Sequence, residues 1–169
     1  MFFETQDVRA DRLTEGDAAR FHALCNQPSV LRWMPDWQST PEEAAGLLAH
    51  FLGGYDGADP ARRPYVLALR TRQGGELIGV CGFGPKDELG GEVEICYFLD
   101  AAWAGRGLMW QVVPRAVAFY FATFERPHLC ALVDMANVAS LRLLLANGFR
   151  PVAAGDGLPA HYRRERNGR

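Results

Sequence analysis

Lysine is almost missing from this chain. Lys86 is the only one among 18 basic residues, and the 169-residue sequence carries a formal net charge of −2. Such a balance leaves no broad basic surface, so general nucleic-acid binding is not expected, because neutralising phosphates needs clustered Lys and Arg. Cysteine is sparse and unpaired. Cys25, Cys81, Cys96 and Cys130 stand alone with no C-x-x-C pair, so neither a zinc knuckle nor a redox pair is signalled, and no metal is expected. Cys81, Cys96 and Cys130 sit in apolar, strand-like runs where cysteine behaves as a small buried hydrophobe. Free thiols fit a reducing compartment, the cytoplasm. Met1-Phe2-Phe3-Glu4 shows no basic region and no long apolar stretch, so no signal peptide is expected. The most apolar long run, Leu108 to Phe124, is interrupted by Gln111, Pro114 and Arg115 and does not read as a membrane span. Repeats and low-complexity linkers are also missing. What remains is a composition 49% hydrophobic and 22% charged, which suits one globular domain over residues 1–169.

Periodicity and punctuation predict the elements. Glu4 to Leu13 reads as an opening strand, and Thr14 with Asp17 starts a helix that runs to Cys25. Leu31 to Gln38 is an aromatic-rich connection. Thr40-Pro41-Glu42-Glu43 opens a second helix, with Thr as cap and Pro at the first position, ending near Gly53. Three strands follow as a meander: Tyr65 to Arg70, Leu77 to Phe83 and Val93 to Leu99. They are punctuated by Gln73-Gly74-Gly75 and Leu89-Gly90-Gly91. Gly105-Arg106-Gly107 leads into a helix from Leu108 to Phe124, where Pro114 predicts a kink or local widening around Trp110 to Pro114. Leu129 to Val133 is a buried strand. Asn137 caps a helix ending at Asn147-Gly148, Phe149 to Ala153 is a strand, Gly155 to Pro159 a loop, and His161 to Glu165 the last strand. The order predicts a mixed α/β sheet with helices on both faces.

The chemistry concentrates in two places. The first is strand, glycine loop, helix: Glu92 to Leu99, then Ala104-Gly105-Arg106-Gly107-Leu108-Met109. Glycines there admit close backbone approach, and the helix start offers unpaired N–H groups and a positive dipole end, a geometry suited to pyrophosphate. A Walker loop is excluded because no Gly-Lys-Ser/Thr ending is present. A dinucleotide fingerprint is excluded because Trp110 stands where the third glycine belongs. The second place is Asp134 to Ser140 with Asn147-Gly148-Phe149, in which Asn137 serves at least as a helix cap.

Taken together these features resemble the Gcn5-related N-acetyltransferase (GNAT) superfamily, most closely its ribosomal-protein-alanine acetyltransferase-like branch, over almost the whole chain. Arg9 to Asp17 resembles the opening strand and first helix start. Val93 to Leu99 resembles the fourth strand, Gly105-Arg106-Gly107 the acyl-coenzyme A loop, and Asn137-Val138-Ala139-Ser140 with Gly148-Phe149 the N-x-x-S…G-F signature. The resemblance implies a mostly antiparallel sheet of about seven strands, splayed between the fourth and fifth. It implies acetyl-CoA as acyl donor, its pyrophosphate held by the backbone of Ala104 to Met109, with Gly107 central and Arg106 adding charge. Ala104 and Met109 depart from the family's Gln/Arg and Gly/Ala at the first and last loop positions, and Met109 could crowd the phosphates. Tyr97, Phe98 and Leu99 would line the gap where the pantetheine arm lies, Asn137 would bond the arm, and Ser140 would face the sulfur.

Glu94 resembles the family's general base, and transfer to an amine requires a base because only the neutral amine attacks. Alternation puts Glu92, Glu94, Cys96 and Phe98 on one face of the strand and Val93, Ile95, Tyr97 and Leu99 on the other. Ser140 and Tyr162 are the candidate acids for the departing thiolate, and His161 alternates away from Tyr162. Trp33 and Trp37 lie where the family's first helices wall the acceptor pocket. The reading is an N-acetyltransferase whose acceptor, a protein N-terminus or a small-molecule amine, attacks the thioester directly in a ternary complex. The chain would act as a monomer or homodimer, with no membrane or nucleic-acid partner. A noncatalytic acyl-CoA-binding or sensing domain on the same fold is the alternative, and a thiol-release assay with a panel of amines separates the two.

Overall fold

In the computed structural model, which describes residues 1–56, 59–152 and 160–166, the expected opening strand is two strands. Thr5 and Val8 exchange hydrogen bonds through backbone and the Thr5 hydroxyl, turning the chain so that β1 (Phe3–Glu4) pairs antiparallel with β2 (Val8–Arg12). Next come β3 (Tyr65–Thr71), β4 (Leu77–Lys86), β5 (Glu92–Leu99), β6 (His128–Val133), β7 (Arg150–Pro151) and β8 (Ala160–Glu165). They form one eight-stranded sheet in the order β1-β2-β3-β4-β5-β6-β8-β7. The count exceeds the expected seven because β1 splits off. The expected strand ending at Ala153 is only the two residues of β7, and Ala153 and the Gly155–Pro159 loop lie outside the described residues.

Five α-helices flank the sheet: α1 (Ala18–Cys25), α2 (Pro28–Leu31), α3 (Pro41–Leu52), α4 (Leu108–Thr123) and α5 (Val138–Ala146). The cap residues act as their chemistry dictates. Thr14 donates through its N–H and hydroxyl to the Asp17 carboxylate, at 2.7 and 2.8 Å, before α1. The Thr40 hydroxyl accepts from the Glu43 N–H while Glu43 accepts from the Thr40 N–H, the reciprocal capping box that opens α3. The short α2 ends at Leu31 where the aromatic connection begins, and the connection holds a 3-10 turn at Pro35–Trp37; each is opened by a proline. Helix α4 runs unbroken through Pro114, and the widening expected at Trp110–Pro114 is absent. Pro114 lies on the exposed face, where water can serve the carbonyl that its missing N–H leaves free.

The two faces of the sheet bury two cores. Phe21, Leu24, Leu48 and Phe51 of α1 and α3 pack on Val66, Val80 and Phe98. Val112, Val113, Ala116 and Tyr120 of α4 pack on the opposite face against Leu67, Ile78, Phe83 and Ile95. The expected alternation of β5 therefore holds, with Val93 and Ile95 under α4 and Phe98 under α1 and α3. The buried Asp17 carboxylate is bound by Arg70 of β3, which ties the first helix to the sheet at 2.7 Å.

Two glycine substitutions are expected to act in opposite directions. At Gly79 of β4 an added Cβ meets the Phe98 carbonyl and the Leu99 backbone, so Gly79→Ala should destabilise by ~1–3 kcal/mol. At the exposed Gly46 of α3 an added Cβ meets nothing within 4 Å, so Gly46→Ala should stabilise by about 0.5–1 kcal/mol. Thermal melting of both variants checks the signs.

Candidate active site

The parting of two strands builds the site. On one side β5 pairs with β4 along its whole length, from Glu92↔Lys86 to Leu99↔Gly79. On the other it meets β6 in parallel at one pair, Glu94↔Cys130, and beyond it no ladder joins them. A cleft of about 1430 Å³ opens there, lined by Tyr97 and Leu99 on β5, Ala131 and Val133 on β6, and Asn137 and Ser140 at the start of α5. Strand edges without partners carry N–H and C=O groups that need hydrogen bonds, so the cleft can accept an extended ligand as an added strand.

At the wide end stands the glycine loop. Gly105 and Gly107 have φ of 75° and 72°, the left-handed region in which glycine alone sits without strain. Among the described residues, no acceptor takes the backbone N–H groups of Gly105, Arg106, Gly107, Leu108 or Met109; the first satisfied one is Trp110, which donates to Gly107 at 3.1 Å. Five successive free donors at a helix start make an anion cradle. Asp100 anchors the approach. Buried and bonded to Arg20 of α1, its carboxylate also accepts from Ala102 at 2.8 Å. Burial works to raise its pKa, but these partners hold it below the ordinary value. Met109 is half-buried against the core as well as lining the cleft, and Ala104 lines it too. Arg106 is turned the other way. It donates to the Ala102 carbonyl at 2.9 Å and stacks 4.6 Å from the Trp103 ring.

Glu94 stands where the strands part. It is half-buried, lines the cleft, and accepts from the Leu132 N–H of β6 at 3.0 Å. Burial pushes its carboxyl above the ordinary range, and the Leu132 N–H and Lys86 ammonium oppose that shift without cancelling it. Cys96, next along that face, is a thiol pushed up to about 12 by burial and the Glu94 carboxylate. Across the cleft the Tyr97 hydroxyl lies 2.8 Å from the Ser140 hydroxyl, a contact that sequence spacing did not reveal. Asn137 caps α5 by accepting the Ser140 N–H at 3.2 Å, which leaves its amide nitrogen free of acceptors among the described residues. Phe98 is buried in the core beneath α1 and α3, so only its backbone can serve the cleft.

The narrow end carries the aromatic connection. Trp33 and Trp37 are both half-buried and line the cleft; Trp37 also packs edge-on to Phe98 at 5.1 Å, and Trp33 has Arg32 stacked 4.6 Å from its ring. The lone lysine, Lys86, also lines this end, with Glu88 3.2 Å away. Burial alone would lower the pKa of its ammonium, but Glu88, Glu94 and Asp36 together raise it. None of Asp36, Lys86 and Glu88 was singled out for the site by spacing, because they come from an aromatic turn and the far end of the β4–β5 hairpin.

Tyr162 is a correction. It is 8% exposed, packs in the α4-side core from β8, and does not line the cleft, so it is not a candidate acid. Below the parting point, Glu92 accepts from Arg163 at 2.9 Å and from the Cys130 thiol at 2.9 Å, with His128 3.2 Å away. This cluster braces β5, β6 and β8. Here the partners overcome burial and hold the Glu92 carboxyl below its ordinary value.

Residues 8–150 match the sequence profile described as "Acetyltransferase (GNAT) domain". The chain belongs to the GNAT acetyltransferase family. In sequence it is 27% identical over 153 residues to "Uncharacterized N-acetyltransferase p20" of Bacillus licheniformis, covering 89% of this chain and 82% of that one. Its fold is similar to RimL, the ribosomal L7/L12 alpha-N-protein acetyltransferase solved with coenzyme A, with a TM-score of 0.76 and 17% identity over 95% of each chain. It is also similar to AAC(6')-Ib solved with paromomycin and acetyl-CoA, with a TM-score of 0.71 and 19% identity over 96% of each chain. This GNAT-family N-acetyltransferase has, among its described residues, no helix long and apolar enough to cross a membrane.

Two glutamates on one strand should titrate with opposite effects on stability. The raised carboxyl of Glu94 binds its proton more tightly folded than unfolded, so its ionisation costs stability as pH rises through the ordinary value to the raised one. Glu94→Gln should therefore melt above wild type at neutral pH, with the gap closing in acid. The lowered carboxyl of Glu92 contributes stability that is present above the ordinary value and lost as pH falls through the lowered one. Glu92→Gln should melt below wild type at neutral pH, again with the gap closing in acid. Melting curves across this range check both signs.

Proposed function

We propose that this enzyme transfers the acetyl group of acetyl-CoA, its acyl donor substrate, to a small cationic amine or a protein N-terminal amine by direct attack in a ternary complex. The observation that carries the reading is one continuous path, from five free N–H donors at Gly105–Met109 through the unpaired edges of β5 and β6 to the half-buried Glu94. The cradle suits a pyrophosphate and the strand edges suit an extended pantetheine arm. Asn137 has an amide nitrogen to offer that arm. Leu132 holds the Glu94 carboxylate on the acceptor side, where it takes the amine's proton, directly or through a water. Its raised pKa strengthens it as a base. The Cys96 thiol, held protonated near pH 7, is a poor nucleophile, which favours direct transfer over an acetyl-cysteine intermediate. Ser140 faces the leaving sulfur.

Asp36, Glu88 and Glu94 outweigh Lys86 at the acceptor end, so an amine that arrives protonated is favoured there over an acidic peptide. No arginine lines the cleft among the described residues, so donor affinity is expected to rest on backbone groups. The competing reading, a binding or sensing domain, predicts the same affinity with no thiol release for any amine.

Calorimetric titration with acetyl-CoA and CoA should give micromolar binding. Gly107→Ala must force a side chain into the left-handed region at a cost of about 1–2 kcal/mol, and should weaken both ligands by about tenfold. With a turned-over amine, Glu94→Gln should lower kcat by ~10²–10⁴ and remove the acidic limb of the pH profile. Absence of binding at millimolar ligand would overturn the donor assignment, and full turnover by Glu94→Gln would overturn the base.

A further inference from the structure

Below the parting point, the cluster around Glu92 gathers groups that the acetyl-transfer reading does not use. The α4-side core takes Leu129 and Ala131 of β6 and Tyr162 of β8, so alternation turns His128, Cys130, His161 and Arg163 to the other face. Antiparallel register sets Cys130 opposite Arg163, with His161 two residues away on β8, and Glu92 joins them from β5. A ligand atom from each of Glu92, Cys130 and His161 lies within 4.8 Å of the other two. The Cys130 Sγ is 2.9 Å and the His161 Nε2 4.0 Å from the same carboxylate oxygen, Oε2. His128 is 3.2 Å from the other oxygen, Oε1, and stays outside this set.

His161 Nε2 is buried and has no hydrogen-bond partner among the described residues. A protonated Nε2 at 4.0 Å is too far from Oε2 to donate to it. An unprotonated Nε2 turns a lone pair towards a carboxylate. A cation between the two atoms resolves either case. Around zinc, at about 2.0–2.3 Å from each ligand atom, tetrahedral ligand atoms stand roughly 3.2–3.8 Å apart, so the three atoms need move by about an ångström at most. A thiolate with an imidazole and a carboxylate suits zinc, whereas Mg²⁺ and Ca²⁺ take oxygen ligands. Arg163 competes, because it donates to both Glu92 oxygens at 2.9 and 3.0 Å. A metal on Oε2 displaces one of these bonds and leaves the other.

We propose that Glu92 Oε2, Cys130 Sγ and His161 Nε2 bind one zinc-class divalent ion between β5, β6 and β8, with water in the fourth position. On binding, the Cys130 S–H bond breaks, its proton passes to the buffer, and the sulfur's electron pair forms the metal bond, with no change of oxidation state. Cys130 is the register partner of Glu94, so the ion clasps β5 to β6 where they pair and takes no part in acetyl transfer. Sequence spacing signalled no metal because the three ligands come from three strands.

Titration of the metal-free full chain with Co²⁺, followed by absorbance, tests the site. The wild type should bind a single ion, with a sulfur-to-metal charge-transfer band and the visible bands of a four-coordinate centre. Zn²⁺ should displace it, being the tighter ion. Calorimetry with Zn²⁺ in two buffers of different ionisation enthalpy should show release of about one proton per ion. Cys130→Ser should lose the charge-transfer band. His161→Ala should keep the band and weaken Co²⁺ by at least about tenfold. Arg163→Gln, which removes the competing cation, should tighten Co²⁺ by about tenfold. A wild type that does not bind Zn²⁺ at about 100 µM would overturn the inference and leave water as the partner of His161. A charge-transfer band that survives in Cys130→Ser would overturn it too, by placing the metal on another cysteine. Should Cys130→Ser not fold, unchanged Co²⁺ affinity in His161→Ala would overturn it instead. None of these outcomes bears on the acetyl-CoA reading.

Discussion

Everything chemical in this protein depends on two parallel strands touching once and then separating. A sheet normally satisfies its backbone by pairing every strand on both sides. Here β5 is fully paired with β4, yet its other edge keeps only the Glu94↔Cys130 pair with β6. Below that point the Glu92–Arg163–Cys130–His128 cluster ties the strands together with charged hydrogen bonds. Above it, α4 has to leave the sheet and return, and the strand ends are left apart. Glu94 occupies the junction and gives its carboxylate to the Leu132 N–H, one of the first donors that the parting would strand. The proposed base is thus also the group that finishes the sheet.

The same junction explains why two glutamates two residues apart differ in character. Glu92 looks into a nest of donors, and its charge is stabilised by them. Glu94 looks into a half-buried cleft with one backbone donor, and burial prevails. The second arrangement costs stability and creates a better base, the exchange expected where function needs a strained group. Around it the scaffold is stiffened by buried pairs elsewhere: Asp17 with Arg70 between first helix and sheet, and Asp100 with Arg20 at the entry to the glycine loop. These pins fix the first helix to the sheet and to the approach of the glycine loop.

Much of this was legible in the chain. Period-two alternation in Glu92–Leu99 correctly divided the two faces. Gly105 and Gly107 announced a loop before a helix where backbone can come close to a ligand, and Asn137 announced a helix start. All three signals are local, set by a residue's own backbone preferences and its near neighbours. The misreadings came where tertiary contacts decide. Tyr162 had the chemistry of an acid, but β8 turns it into the α4-side core. Pro114 predicted a kink or a local widening, and the widening is absent because its exposed place on α4 leaves the freed carbonyl to water.

By itself the sequence determined the kinds of element, their order, the faces of the central strand and the family, because these follow from steric and hydrophobic rules that act over a few residues or along one stretch of chain. Only the tertiary structure decided how far β5 and β6 remain together, that Tyr97 meets Ser140, and that Asp36, Glu88 and Glu94 gather around the single lysine. Each of these joins residues distant in the chain through a strand pairing or a helix packed across the sheet. A one-residue change of register would move each partner to the opposite face, so no local pattern contains the contact.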